Sequence, residues 1–248
     1  VSTSSPKPVE IGGLPGQTDA DSAQSLARLE QLVGPVPSYI LGQTPHDSLV
    51  PRDGKLLLDA TGRDDISIED VTLHRFAPDL EPAICARYAD TEISVEHLKD
   101  QATALAHDAD LFLMEGFWSA MSPVSGRTTQ LDLVERLGVS VVLLVPSIPG
   151  AVGPSLLTLQ ALISRGVKIS GVVICRIRDE IGADEAALPF QIETYFGNVV
   201  RGVIPHFNAE QLLDLDYLSE RLRVHVDVDE FLNDTELEAA RKVRSTDQ

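Results

Sequence analysis

The sequence predicts an α/β protein built on a doubly wound, mostly parallel sheet, and three observations carry that expectation. Short continuous apolar runs recur at Asp110-Leu-Phe-Leu-Met114, Ser140-Val-Val-Leu-Leu-Val145 and Ile169-Ser-Gly-Val-Val-Ile174. Runs of this kind suit strands covered by helices on both faces, where neither side needs polar residues. Helical patterns lie between and after them: Leu131-Asp-Leu-Val-Glu-Arg-Leu137 stops at Gly138, and Ser155 to Arg165 stops at Gly166. Glycine just past a helix allows the left-handed residue that closes the last turn. Strand, helix, strand, helix, strand in that order gives right-handed crossovers between parallel strands.

The remaining elements follow by the same rules. A short strand is expected around Val199 to Ile204, ahead of Pro205, and a helix within residues 90–107 after a polar turn. Ser22 to Leu32 reads as a helix, while residues 40–55, rich in Pro, Gly, Asp and His, read as a surface loop. No internal repeat or low-complexity tract interrupts the 248 residues, so a single domain over 1–248 is expected, with an acidic C-terminal extension from about residue 208.

Composition excludes several function classes. The 38 acidic against 20 basic residues leave a net charge of −18, which repels nucleic acid and anionic membranes alike. No stretch approaches the roughly 18 uncharged apolar residues of a membrane span, and the first residues lack the layout of a secretory signal. Cys85 and Cys175 have neither disulfide-framework nor metal-ligand spacing. A cytoplasmic protein is therefore expected. The six histidines are scattered, and no Gly-x-Ser-x-Gly elbow is present.

The central segment carries a more specific signal. Met114-Glu-Gly116, Pro123, Gln130-Leu-Asp-Leu-Val134, Leu137 to Val145, Gly150, Leu156 to Leu162, Arg165 to Ile174 and Gly202-Val-Ile-Pro205 occur in this order. Upstream stand Val71-Thr-Leu-His-Arg-Phe-Ala-Pro78 and Pro82. Taken together, residues 50–207 resemble the dethiobiotin synthetase family, which has the P-loop NTPase fold. The resemblance implies an ATP- and Mg2+-dependent ligase of biotin biosynthesis. Its substrates would be CO2 and a diamino acid, 7,8-diaminopelargonate, and it would act as a homodimer.

The resemblance also places the site. The family's phosphate-binding loop corresponds best to Gly12-Gly-Leu-Pro-Gly-Gln-Thr18, which retains Gly16 and Thr18 before the Ser22 helix. Gln17 stands where the loop's lysine belongs, and an amide cannot balance phosphate charge. Pro15 supplies no backbone N–H to the loop. A rival register would set Lys7-Pro-Val9 on the family's second strand and dispense with the loop, but its distance from Glu115 is too long. With the loop at Gly16, the second-strand lysine position falls near Ile40, in Tyr39-Ile-Leu-Gly-Gln-Thr44.

The resemblance implies Thr18, Asp53 and Glu115 as magnesium ligands, with Thr18 and Glu115 catalytic; hard oxygens plus waters suit that ion. Gly16, Gln17, Thr18, Cys175 and Pro205 fall at the nucleotide, with Cys175 where the family reads adenine through asparagine. Gly150, Ala151, Val152 and Gly153 match the turn that binds the substrate carboxylate through backbone N–H groups, a task a helix N-terminus can perform without particular side chains. Phe117 and Trp118 replace small residues that the family has after its Glu-Gly pair. Arg52, Lys55, Arg127 and Arg176 are candidates for the missing cations. Two functions remain open: a synthetase of this type, and a noncatalytic paralogue that binds or regulates a partner.

Overall fold

The computed structural model describes residues 51–76, 80–107, 109, 111–228 and 231. The expected loop at Gly16, Gln17 and Thr18, the Ser22 helix and the segment around Ile40 lie outside these residues. Three of the predicted strands and the helices between them assemble as a parallel unit. Strands β3 (Val141–Ser147), β4 (Ile169–Arg176) and β5 (Val200–Ile204) form a sheet in the order β3-β4-β5, all parallel. Two crossover helices, α6 (Val152–Ser164) and α7 (Ala183–Phe196), connect them. A small hairpin, β1 (Pro123–Ser125) with β2 (Thr128–Thr129), precedes α5 (Gln130–Leu137). Upstream stand α1 (Arg52–Thr61), α2 (Ile68–Val71), α3 (Pro82–Tyr88) and α4 (Val95–His107), and α8 (Leu215–His225) comes after the sheet.

Burial explains the sequence pattern. Inward residues Val145, Val172 and Ile174 meet Leu159 of α6 and Leu188 and Ile192 of α7 in the main core. A second cluster joins Ala86, Ile93, Val95, Val124 and Leu133, and a third, Leu131, Leu162 and Val167, links the two. Val142 and Leu144 face the other way on β3 and stay 41% and 63% exposed. Among the described residues β3 has no strand on its outer edge.

Two expectations fail here. Residues 111–114 form no strand; Leu111, Leu113 and Met114 are 41%, 78% and 42% exposed. An apolar run becomes a strand only when a neighbour takes its backbone hydrogen bonds, and no ladder partner reaches it among the described residues. Residues 52–55, expected in a loop, instead open α1, where Pro51 fixes the entry and the succeeding leucines favour helix.

Helix α5 is tied down at both ends. Thr129 and Asp132 form a reciprocal capping box, and Gly138 closes the helix at φ 66°. The carboxylates of Asp132 and Glu135 also pair with Arg165, which comes directly after α6. The Thr129 N–H foremost, and then Arg165, hold the Asp132 carboxyl at about 2. A depressed carboxylate stabilises the fold above its unfolded value and loses that contribution as pH falls through its folded one. Asp132→Asn is therefore expected to cost about 1–2 kcal/mol near neutral pH, after allowing for screening of a partly exposed pair. Urea unfolding of both proteins checks this; their difference should close between about pH 4 and about pH 2.

Candidate functional site

Parallel register lines up the carboxyl ends of the three strands. Pro146 pairs with Cys175 and Ser147 with Arg176, while Cys175 pairs with Ile204. The segments leaving these ends, 148–151, 177–182 and 205–208, therefore emerge along one edge of the sheet, where open α/β sheets bind ligands. Cys175 and Pro205 come together here, with the Gly150–Gly153 turn on the adjacent strand's exit.

That turn is built to present backbone donors. Gly150 takes φ +80°, a conformation glycine adopts without penalty, and Ala151 is buried at the helix N-cap. Val152 and Gly153 occupy the first turn of α6, where backbone N–H groups have no acceptor within the helix. Pro154 supplies no N–H but suits an opening turn through its fixed φ. The Gly150 N–H already serves a carboxylate, donating to Asp184 Oδ2 at 2.9 Å.

Asp184 is exposed in the first turn of α7, and its neighbour is fixed in place. Glu185 Oε2 accepts from the Gly182 N–H at 2.9 Å and from Arg178 at 2.6 Å, and both bonds, the Gly182 one foremost, hold that carboxyl below the usual range. The other oxygen, Oε1, is buried without a partner. His206 Nδ1 lies 3.4 Å from Asp179 across the same edge. Burial pushes the Cys175 thiol up, so at neutral pH it offers a weak S–H donor and no thiolate.

Glu115 occupies a different setting from the strand end expected of it. It is exposed in an irregular segment, and among the described residues its carboxylate forms no hydrogen bond or ion pair. The residues immediately after it are closely held. The Phe117 N–H donates to Gln130 Oε1 at 2.7 Å, and Gln130 Nε2 donates back to the Phe117 and Ser119 carbonyls at 3.1 and 3.2 Å. The backbone N–H groups of Gln130 and Leu131, which open α5, donate to Ser122 and Ala120. Phe117 packs against the second core cluster, whereas Trp118 is 68% exposed at φ 47°.

Asp53 is exposed in the first turn of α1, and no hydrogen bond or ion pair joins it to Glu115. Lys55 is committed to Asp59 at 2.8 Å. Arg176 is exposed at the end of β4 and Arg127 in the β1–β2 turn. Among the described residues no cluster of three or more His, Cys, Asp or Glu could hold a metal. Magnesium, however, typically takes one or two carboxylates plus phosphate and water, so an uncommitted Glu115 suits its donor preference. Sequence reasoning did not single out Gln130 or Asp184 for these contacts. Their signals were present, in a glutamine opening a helix and in the Gly-Ala-Asp-Glu start of α7, but such residues are ordinary at helix starts.

Comparison with known proteins agrees with this architecture. A family model described as an AAA domain matches residues 52–212. The ATP-dependent dethiobiotin synthetase of Anaeromyxobacter dehalogenans is 31% identical over 147 residues, 59% of this chain and 64% of that protein. The synthetase of Phenylobacterium zucineum is 33% identical over 138 residues, 54% and 59% of the two chains. That of Bacillus velezensis is 21% identical over 187 residues, 75% and 79%. The chain thus spans just under two thirds of the length of the first of these relatives. No helix among the described residues is long and apolar enough to cross a membrane. By the extent of the family match and the agreement of these relatives, the chain belongs to the AAA-domain family and, within it, to the dethiobiotin synthetases with their P-loop fold.

Proposed function

We propose that this protein carboxylates a diamino acid of the 7,8-diaminopelargonate type with CO2 and closes the ureido ring, using ATP and magnesium. The carrying observation is the Gly150 turn, whose backbone N–H already binds a carboxylate at the edge that also presents Cys175 and Pro205. Its relatives are named as enzymes of this reaction class.

The residues divide the work. Gly150, Val152 and Gly153 orient the substrate's carboxylate with backbone N–H groups, leaving the diamine end free to reach the reacting centre. Cys175 and Pro205 flank the base. Glu115 supplies a hard oxygen for the cation, with Asp53 and Thr18 as further donors. When bound, magnesium–ATP supplies the phosphoryl group that makes a carbamate oxygen a leaving group. Positioned backbone donors and cations carry most of the catalytic effect in such transfers. A homodimer in the cytoplasm is the setting the resemblance implies.

The test is calorimetric titration with ATP and magnesium, with and without diaminopelargonate, on the parent and on Glu115→Ala. Micromolar binding that the variant loses by roughly tenfold or more is expected, since a lost metal ligand removes several kcal/mol. A folded protein that takes up no nucleotide at millimolar concentration refutes the enzyme. That outcome favours the noncatalytic paralogue, the reading consistent with Gln17 in place of the loop's lysine.

A further inference from the structure

We propose that Gln130 is a positioning residue that sets the Glu115 loop, and that the strained, exposed Trp118 is the visible product of its grip. This rests on the reading of Glu115 as the cation-binding carboxylate.

The geometry is specific. A glutamine amide can mimic a peptide group, accepting at one atom and donating at the other, and Gln130 does both to Phe117, with a further donation to the Ser119 carbonyl. These contacts straddle Trp118. Gly116 lies against the same amide: a Cβ there would meet Gln130 Oε1 and Nε2 at 3.1 Å, so a side chain at 116 would press on the clamp. The Ser119 N–H donates to Ser122 Oγ at 3.1 Å, and that hydroxyl in turn donates to Glu81 at 3.2 Å. Ser122 is buried, and its carbonyl and that of Ala120 accept from the opening N–H groups of α5.

A bulky residue at positive φ is an outlier that persists only where its surroundings over-determine it. The bonds around Trp118 meet that condition, and they are anchored to a helix which the Thr129–Asp132 capping box and Arg165 hold in turn. Glu115 stands two residues from the clamped Phe117, so the clamp determines where its carboxylate projects.

Trp118 is the one tryptophan in the chain, so its fluorescence reports this loop without a label. Gln130→Met keeps length and loses every side-chain hydrogen bond; Gln130→Glu keeps the acceptor for the Phe117 N–H and loses both donations. Steady-state anisotropy of Trp118 is expected to fall clearly in the first variant and partway in the second, because a released loop moves on the nanosecond timescale. Magnesium–ATP affinity should decline in the same order, roughly tenfold and a few-fold weaker, with Gln130→Glu carrying the test should Gln130→Met fail to fold. Unchanged anisotropy in a folded variant overturns the proposal, as does a mobile loop with affinity within twofold of the parent. If Glu115→Ala binds magnesium–ATP as well as the parent, the reading of Glu115 falls, and a lowered anisotropy then marks the clamp as structural only.

Discussion

Replacing Leu159 by alanine is expected to lower the free energy of unfolding by about 3–4 kcal/mol, the range for a fully buried leucine whose neighbours close only partly around the void. Leu159 is 0% exposed and sits where α6 meets Val172, Ile174, Leu188 and Ile192, so the lost contacts come from the other crossover helix, α7, and the central strand. Leu157, two residues away on the same helix, is 73% exposed. Its alanine variant should fall within about 0.5 kcal/mol of the parent. For a chain of this size the first change corresponds to a thermal midpoint lower by about 6–16 °C, and differential scanning measurements of both variants check the contrast. Equal effects would mean that α6 does not pack as described. The consequence reaches the site, because the same helix carries Val152 and Gly153 at its start. A loosened α6 costs the turn its fixed donors, so anion binding should weaken in Leu159→Ala and not in Leu157→Ala.

The contrast within α6 also marks what the sequence made legible. Continuous apolar runs located β3 and β4, although only β4 is buried on both faces while Val142 and Leu144 of β3 stay exposed, and Gly138 and Gly166 located helix ends because only glycine adopts the closing conformation cheaply. The same logic misplaced residues 111–114. Their composition is that of a buried strand, yet pairing depends on neighbours that composition does not report. The turn at Gly150 was legible as a donor array, since strand, glycine and helix start dictate where the N–H groups go. Its occupation by Asp184, 34 residues on, was not legible: a long-range contact between two loops depends on sheet register and on Glu185 fixing the start of α7. Gln130 escaped notice for a related reason, since a glutamine opening a helix has no pattern that distinguishes a solvated amide from one clamping a backbone.

Asp184→Ala is expected to tighten binding of the diamino acid by roughly fivefold to tenfold, the equivalent of one charge-assisted hydrogen bond that the ligand no longer has to displace. In the parent the Gly150 N–H is engaged by Asp184, and a second carboxylate brought to the same donor meets both an occupied hydrogen bond and a like charge. Removing the side chain relieves both. The variant also forfeits an acid in the first turn of α7, so it should lose about 1 kcal/mol of stability even as it gains affinity. Opposite signs in one variant separate competition from support: were Asp184 merely bracing the turn, affinity and stability would fall together. A diamine of the same length without the carboxylate supplies the control and should bind parent and variant alike, because it never addresses the Gly150 donor. The gain should shrink with added salt insofar as it comes from relieved repulsion, since charges on an exposed edge are screened within about 10 Å at 0.1 M, and persist insofar as it comes from the freed hydrogen bond. Calorimetric titrations of both ligands at two ionic strengths therefore assign the effect to its physical source.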